Sequence, residues 1–314
     1  MSRSPAGQAL HGSNGAPVVR AEAVTKLYGR HTGVAELDFE VVAGEVFGFL
    51  GPNGAGKTTT IRLMLDLIRP TSGCIKLFGL DTLADSVAIR RRLGYVPGDL
   101  RLYGRLSGRD LLSYLAHLRG LGDLAHAERL ADRLDLDLHR PIQALSKGNR
   151  QKVGLVQAFM HEPDLLVLDE PTAGVDPLVQ QVFYDLVQET AADGRTVFLS
   201  SHVLSEVQHV ADRVALIREG RLVLVEEMET LRERAATRVE ATFADAPPPE
   251  AFSGIDGVVE VERHGATVVF SLRGPADGLV KALACYRVLG LDSHEADLED
   301  IFLTLYQGEG DRAA

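Results

Sequence analysis

The 314-residue chain contains no tryptophan and only two cysteines, and aromatic residues make up 6% of it. Cys74 and Cys285 stand far apart, without the paired spacing of a metal ligand set. That argues against a disulfide framework or a thiolate metal site, and both are expected to be buried free thiols. Long apolar runs are missing too: none approaches the roughly 20 uncharged residues that a membrane-spanning helix needs. One apolar stretch, residues 214–225, is broken by Arg218, Glu219 and Arg221. Residues 1–17 lack the apolar centre of a signal peptide, so a cytosolic location is expected. Positive charge is in deficit, with 33 Lys and Arg against 44 Asp and Glu and a net charge of −11. This argues against broad, non-specific attachment to nucleic acid or anionic lipid.

What is present is concentrated in one stretch, Gly51-Pro52-Asn53-Gly54-Ala55-Gly56-Lys57-Thr58-Thr59. It matches the phosphate-cradling pattern G-x-x-x-x-G-K-[ST], and its surroundings give the match its weight. Residues 45–50 read as a buried strand and residues 59–68 as a helix that stops before Pro70. The glycines therefore sit at a strand-to-helix turn. There, successive backbone N–H groups and the helix dipole favour an anion, and side chains would block its approach. A triphosphate is the ligand such a loop implies: Lys57 would neutralise the β- and γ-phosphates, the Thr58 hydroxyl would complete a Mg²⁺ shell, and Thr59 could reach the α-phosphate.

Length and a hydrophobic content of 45% allow a main nucleotide-binding domain with a core of its own and a smaller companion. Residues 1–17, rich in Gly, Ser and Ala, read as a disordered tail. Residues 18–24 and 37–42 read as strands. From residue 101 to about 160 the pattern turns helical, with Leu111, Leu112, Leu115 and Leu118 on one face. Parallel-sheet character returns at residues 165–168 and 196–199, which implies a βαβ core. A second unit follows residue 234, with strands at 238–243, 258–262 and 267–272 and a tight turn at His264-Gly265. A helix at 276–285, a strand at 287–291 and a helix at 298–306 complete an order suggesting a small ferredoxin-like α+β domain.

Asp169 and Glu170 follow four apolar residues, which delivers two carboxylates to the C-terminal edge of a buried strand, where open α/β sheets bind ligands. Asp169 would hold Mg²⁺ directly or through water, and Glu170 would polarise an attacking water. Alone, the pair would read as polar residues leaving the core; beside Lys57 it reads as a hydrolysis site. Leu145-Ser146-Lys147-Gly148-Asn149-Arg150-Gln151 opens a further helix, and taken by itself reads as a helix cap. His202, after Ser200-Ser201, could contact a γ-phosphate, although a lone strand-end histidine is more often structural.

As a set, these motifs resemble the nucleotide-binding subunit of an ATP-binding cassette (ABC) transporter, over residues 18–228. The phosphate loop, the signature at residues 145–149, Walker B at 165–170, the D-loop Ala173-Gly174-Val175-Asp176 and the switch histidine His202 occur in the family's order. The resemblance implies an α/β P-loop NTPase domain at 18–234 with a helical subdomain at about 99–162, and an accessory or dimerisation domain at 235–314. It implies ATP and Mg²⁺ as cofactors and Tyr28 as the aromatic that stacks on adenine. It also implies a head-to-tail dimer in which Ser146 and Gly148 of one copy, with Asp176 nearby, close over ATP held by Gly51 to Thr59 of the other. Glu170 and His202 would then be catalytic.

Two departures stand out. The signature has Lys147 and Asn149 where Gly and Gln are commonest, a variant similar to the drug and antibiotic exporter branch. Gly98 stands where the family places a glutamine that touches Mg²⁺, and Asp99 is the candidate substitute, reaching the metal through water. The segment Ala296-Asp297-Leu298-Glu299-Asp300-Ile301-Phe302-Leu303 resembles the closing segment of exporter-type subunits. The implied function is an ATPase powering efflux of a drug-like or amphipathic compound through a separate polytopic permease, peripheral on the cytoplasmic face of the membrane, with docking near residues 100–103. The alternative is a soluble ABC ATPase acting on ribosomes or nucleic acid.

Overall fold

The computed structural model describes residues 17–234 and 237–294, and they fall into two compact units divided after Val225. The first unit begins with an antiparallel hairpin, β1 (Val19–Tyr28) and β2 (His31–Val41). Both strands run further than the two short strands expected here. Ala23 and Glu36 adopt left-handed φ values of 47° and 51°, and bulges shift the register between Ala21 and Leu27. Each bulge breaks the period-2 alternation by which a strand is recognised.

β3 (Val46–Leu50) leads through the phosphate loop into α1 (Lys57–Met64), and β4 (Ser72–Leu77) and β5 (Leu80–Asp81) complete a sheet of order β2-β1-β4-β5. α1 ends earlier than residue 68, because Asp66 turns left-handed with φ 51°. Next come α2 (Ser86–Arg91), β6 (Leu93–Val96) and the helical region: α3 (Gly108–Arg119), α4 (Ala125–Arg133) and α5 (Lys147–Phe159). Ser107 caps α3 in a full capping box with Asp110, which satisfies two orphan N–H groups reciprocally.

β7 (Leu165–Asp169), α6 (Pro177–Ala192), β8 (Thr196–Ser201), α7 (Leu204–Val210), β9 (Arg213–Arg218) and β10 (Arg221–Glu227) close the main sheet, of order β10-β9-β3-β8-β7-β6. β3, β7 and β8 are buried along their whole lengths, as the continuous apolar runs of parallel strands require. Phe47 and Phe198 are register partners on β3 and β8, with ring centroids 5.8 Å apart. This contact, about 0.5–1.5 kcal/mol beyond burial, helps hold β3 beside β8, so the phosphate loop lies next to the end of β8.

The second unit contains α8 (Met228–Arg234), β11 (Thr237–Phe243), β12 (Val258–His264), β13 (Thr267–Leu272), α9 (Asp277–Leu283) and β14 (Val288–His294). Its sheet has the order β12-β13-β11-β14 and is antiparallel throughout. An α+β unit is observed, but turns rather than a helix connect β11 to β12, which departs from a full ferredoxin-like pattern. Its core is aromatic: Phe252 packs at 4.9 Å from Phe270 and 5.7 Å from Phe243. The helix expected at 298–306 and the exporter-like segment at 296–303 lie outside the described residues. Both cysteines are free; Cys74 is half-buried and Cys285 is exposed rather than buried. No described helix is long and apolar enough to cross a membrane.

Candidate active site

The phosphate loop turns tightly between β3 and α1. Gly51 sits where a Cβ would come within 2.3 Å of the Ile217 carbonyl oxygen, and Gly56 has φ +114°. Backbone cannot yield to the first, and an L side chain is strained at the second. Lys57, 5% exposed, curls back over its own loop, donating to Gly51 O at 2.7 Å and Pro52 O at 3.2 Å. Its Nζ also lies 3.3 Å from Oε1 of Glu170. Ala55 is buried beneath the loop.

Asp169, 1% exposed at the end of β7, is held through both oxygens. Thr58 Oγ1 donates to Oδ2 at 2.9 Å and Ser200 Oγ donates to Oδ1 at 2.6 Å. The neighbouring Tyr95 phenol is pushed up to about 12 by burial and then by the Asp169 charge, so it stays protonated. Glu170 turns out of the strand in a left-handed conformation, φ 48°. Its N–H donates to Ser200 O at 3.1 Å, and its Oε2 stands 2.9 Å from His202 Nδ1.

A cavity of about 230 Å³ runs from the ring of Tyr28 to the carboxylate of Glu170, with His31, Asn53, Lys57 and Thr58 on its walls. Gly54, Gly56 and Thr59 line it as well. Tyr28 is 46% exposed, with Lys26 Nζ 5.3 Å from its ring centroid; it is an open platform rather than a core ring. His31 was not singled out in the sequence. It reaches the cavity because the hairpin turn after Tyr28 returns β2 alongside it, and no local signal marks that.

Other expected residues do not join this cavity. Ser146 caps α5, its Oγ accepting from Asn149 N at 3.1 Å, and Asp176 caps α6, accepting from Val179 N at 3.1 Å. Gly148 packs on the loop after β7, where a Cβ would lie 3.1 Å from Gly174 O. Gln151, at the end of the same motif, is buried and donates to Pro171 O at 2.9 Å, a tie from α5 to that loop that the sequence does not show. Asp99 is not at the Thr58–Asp169 pair. Its side chain is 75% exposed and accepts from Arg101 at 2.9 and 3.0 Å. The residue beside Asp169 is Gly98, whose Cβ would lie 3.3 Å from Oδ2. The turn after Pro97 brings Gly98 inward and sends Asp99 outward, where an arginine two residues on captures it.

A glycine loop feeding a helix, a buried lysine, a hydroxyl on a carboxylate and a second carboxylate on a histidine define a P-loop nucleoside-triphosphatase site. The family model described as "ABC transporter" matches residues 34–173. The chain is 33% identical over 301 residues to the bacitracin transport ATP-binding protein BcrA of Bacillus licheniformis, covering 93% of this chain and 98% of that protein. It is 30% identical over 313 residues to the Nod factor export ATP-binding protein I of Ralstonia nicotianae, covering 94% and 95%. A solved structure of an ATP-binding subunit of an ABC transporter is 30% identical, with a TM-score of 0.64 over 69% of this chain and 92% of that one. A dimeric bacterial ABC transporter cassette, 21% identical with a TM-score of 0.62, shares the fold over 67% of this chain and 98% of that one. The chain belongs to the ABC transporter family, as an ATP-binding, ATP-hydrolysing subunit.

Proposed function

We propose that this chain powers efflux of a drug-like or amphipathic compound through a separate membrane permease, working as a pair of identical copies with ATP between them. The observation that carries this reading is the division of the site. Lys57, Thr58 and Glu170 line one cavity, with Asp169 bonded to Thr58 and His202 against Glu170 behind them, while Ser146, Gly148 and Asp176 stand at helix starts with no contact to this group. A second copy placed head to tail would bring its α5 N-terminus over the ATP. Relatives named for bacitracin transport and Nod factor export favour a transporter over a ribosome- or nucleic-acid-directed ATPase.

In hydrolysis, the loop N–H groups and Lys57 hold the β- and γ-phosphates, and adenine lies on Tyr28. Glu170 orients a water in line with the γ-phosphorus and draws off its proton as the water oxygen bonds to phosphorus and the bond to the β–γ bridging oxygen breaks, leaving ADP and inorganic phosphate. His202 fixes the Glu170 carboxylate from one oxygen while Lys57 faces the other. The Thr58 hydroxyl and Asp169 carboxylate are hard oxygen donors 2.9 Å apart, and Gly98 puts no side chain against them; this suits Mg²⁺, which keeps most of its waters. Bound there, Mg²⁺ would neutralise phosphate charge.

For the permease, Leu100 of the expected docking segment is turned inward, where a Cβ on Gly154 would meet its Cδ2 at 2.5 Å, whereas Tyr103 is exposed. A larger groove of about 760 Å³ opens between α2 and α3, lined by three arginines, two histidines, apolar Val87, Leu115 and Leu118, and no carboxylate. It suits an acidic amphipathic segment, which the permease would supply on the cytoplasmic face. Residues 235–314 would serve the pair as an accessory or dimerisation domain.

The test is to tag the Glu170→Gln protein, extract native membranes in mild detergent with ATP and Mg²⁺, and identify stoichiometric partners. A polytopic membrane protein, lost on Arg90→Glu/Arg91→Glu substitution, is expected. Ribosomes or nucleic acid in its place would overturn the transporter reading.

A further inference from the structure

Glu206 lies in the first turn of α7, outside the nucleotide cavity and outside the motifs singled out in the sequence. Its carboxylate accepts two hydroxyl hydrogen bonds from different strand ends. Thr172 Oγ1 donates to Oε1 at 2.6 Å, and Ser201 Oγ donates to Oε2 at 2.5 Å. Both donors are buried. Thr172 is two residues beyond Glu170, and Ser201 immediately precedes His202. The Glu170–His202 contact at 2.9 Å closes the circuit.

From these contacts we infer that Glu206 is a positioning residue for ATP hydrolysis, which holds Glu170 and His202 at their working separation by clamping the two loops that carry them. Glu170 and His202 both sit just past the ends of parallel neighbours, β7 and β8, where the ladder that pairs Asp169 with Ser200 stops. The last backbone hydrogen bond between the two strand ends is Glu170 N–H to Ser200 O at 3.1 Å, and past it the loops are joined through side chains. One carboxylate with two acceptor oxygens replaces the missing rungs. Ser201 also accepts from Val203 N at 3.0 Å, and its carbonyl accepts from Gly51 N at 3.3 Å, so the clamp reaches the phosphate loop. The first turn of a helix favours the anion.

The chemistry requires glutamate. Two hydroxyl donors need two acceptors; glutamine offers one acceptor and a competing NH₂, and aspartate is one methylene too short to meet both. Misplacing a catalytic pair by about 1 Å costs on the order of 100-fold in rate, whereas ATP is held mainly by the phosphate loop and Tyr28. The clamp therefore acts on turnover more than on binding.

This inference rests on Glu170 and His202 acting in hydrolysis. The experiment measures kcat, KM for ATP, affinity for a fluorescent ATP analogue and thermal midpoint for the full chain with Glu206→Ala, Glu206→Gln, Thr172→Val and Glu206→Ala/Thr172→Val. Expected is a fall in kcat on the order of 10- to 100-fold for Glu206→Ala and less for Glu206→Gln, with KM and analogue affinity within about twofold. Thr172→Val should add little to Glu206→Ala, because both break the same clamp. If Glu206→Ala does not fold, Glu206→Gln alone carries the comparison. Unchanged kcat per folded molecule, equal losses in turnover and affinity, or additive losses in the double variant would overturn the positioning role. A Glu170→Gln control that hydrolyses normally would instead reject the catalytic reading beneath it.

Discussion

His202 Nδ1 and Glu170 Oε2 face each other at 2.9 Å across the ends of two neighbouring strands, and the other oxygen of the same carboxylate lies 3.3 Å from Lys57 Nζ. Glu170 is thus held between the phosphate-loop lysine and the histidine that opens the next strand's loop. Replacing it with glutamine keeps the shape and removes the proton acceptor.

Glu170→Gln is accordingly expected to bind ATP with near-native affinity and to hydrolyse it on the order of 10²- to 10⁴-fold more slowly. Phosphate release in single turnover, read beside fluorescent nucleotide binding, separates the two steps. Turnover close to wild type would remove Glu170 from the chemistry.

Asp169 and Asp99 should respond oppositely. Asp169→Asn leaves Thr58 and Ser200 with a poorer acceptor in a buried site, and Mg²⁺-dependent turnover should drop more than about tenfold with about 1–3 kcal/mol of stability. Asp99→Ala removes only an exposed pair with Arg101, so stability should stay within about 0.5 kcal/mol and half-saturating Mg²⁺ should not move. A shifted Mg²⁺ requirement in Asp99→Ala would return that carboxylate to the metal.

Gly51→Ala places a methyl against the Ile217 carbonyl, 2.3 Å away before any relaxation. The loop must shift, and ATP affinity measured by equilibrium titration should fall at least about tenfold, the loss of roughly 1.4 kcal/mol.

Acid sensitivity should trace in part to His161. Burial, reinforced by the nearby Arg119 charge and opposed by its bond to Leu93 O, pushes its pKa down to about 4. The unfolded chain therefore binds this proton first. The contribution to stability is complete above about pH 6.5 and declines as pH falls from there toward 4, by at most about 1.4 kcal/mol per pH unit. His161→Gln, which can still donate to Leu93 O, should flatten that part of a urea-midpoint profile. An unchanged slope would assign the acid loss to other groups.

In the second unit, Phe270→Ala removes a fully buried ring that meets Phe252 edge-on, and should cost that unit about 3–5 kcal/mol. Urea unfolding followed by a probe on β11 reads the loss.

The order of the motifs along the chain could be read without coordinates because each is chemically contiguous: glycines, lysine and hydroxyl in nine residues, or two carboxylates after four apolar ones. Strands β3, β7 and β8 were legible for the same reason, since full burial leaves an unbroken apolar run. The β1–β2 hairpin was only partly legible, because residues 23 and 36 break its alternation. Asp99 could not be told from Gly98 in the sequence, where both are adjacent, whereas the backbone turn sets Gly98 beside Asp169 and leaves Asp99 on Arg101. His31, Ser200, Gln151 and Glu206 act through partners distant in the chain, and nothing local marks those ties.

The sequence by itself thus determined that a nucleotide loop, two carboxylates and a strand-end histidine exist in this order, since glycine content, side-chain chemistry and apolar runs are local properties. Only the tertiary structure decided that Thr58 meets a carboxylate 111 residues away, that Ser146 and Gly148 stand outside the cavity, and that Glu206 ties Thr172 to Ser201. Those relations depend on β3 lying beside β8 and β8 beside β7. That order is set by pairing between strand edges far apart in the chain, which no window of sequence contains.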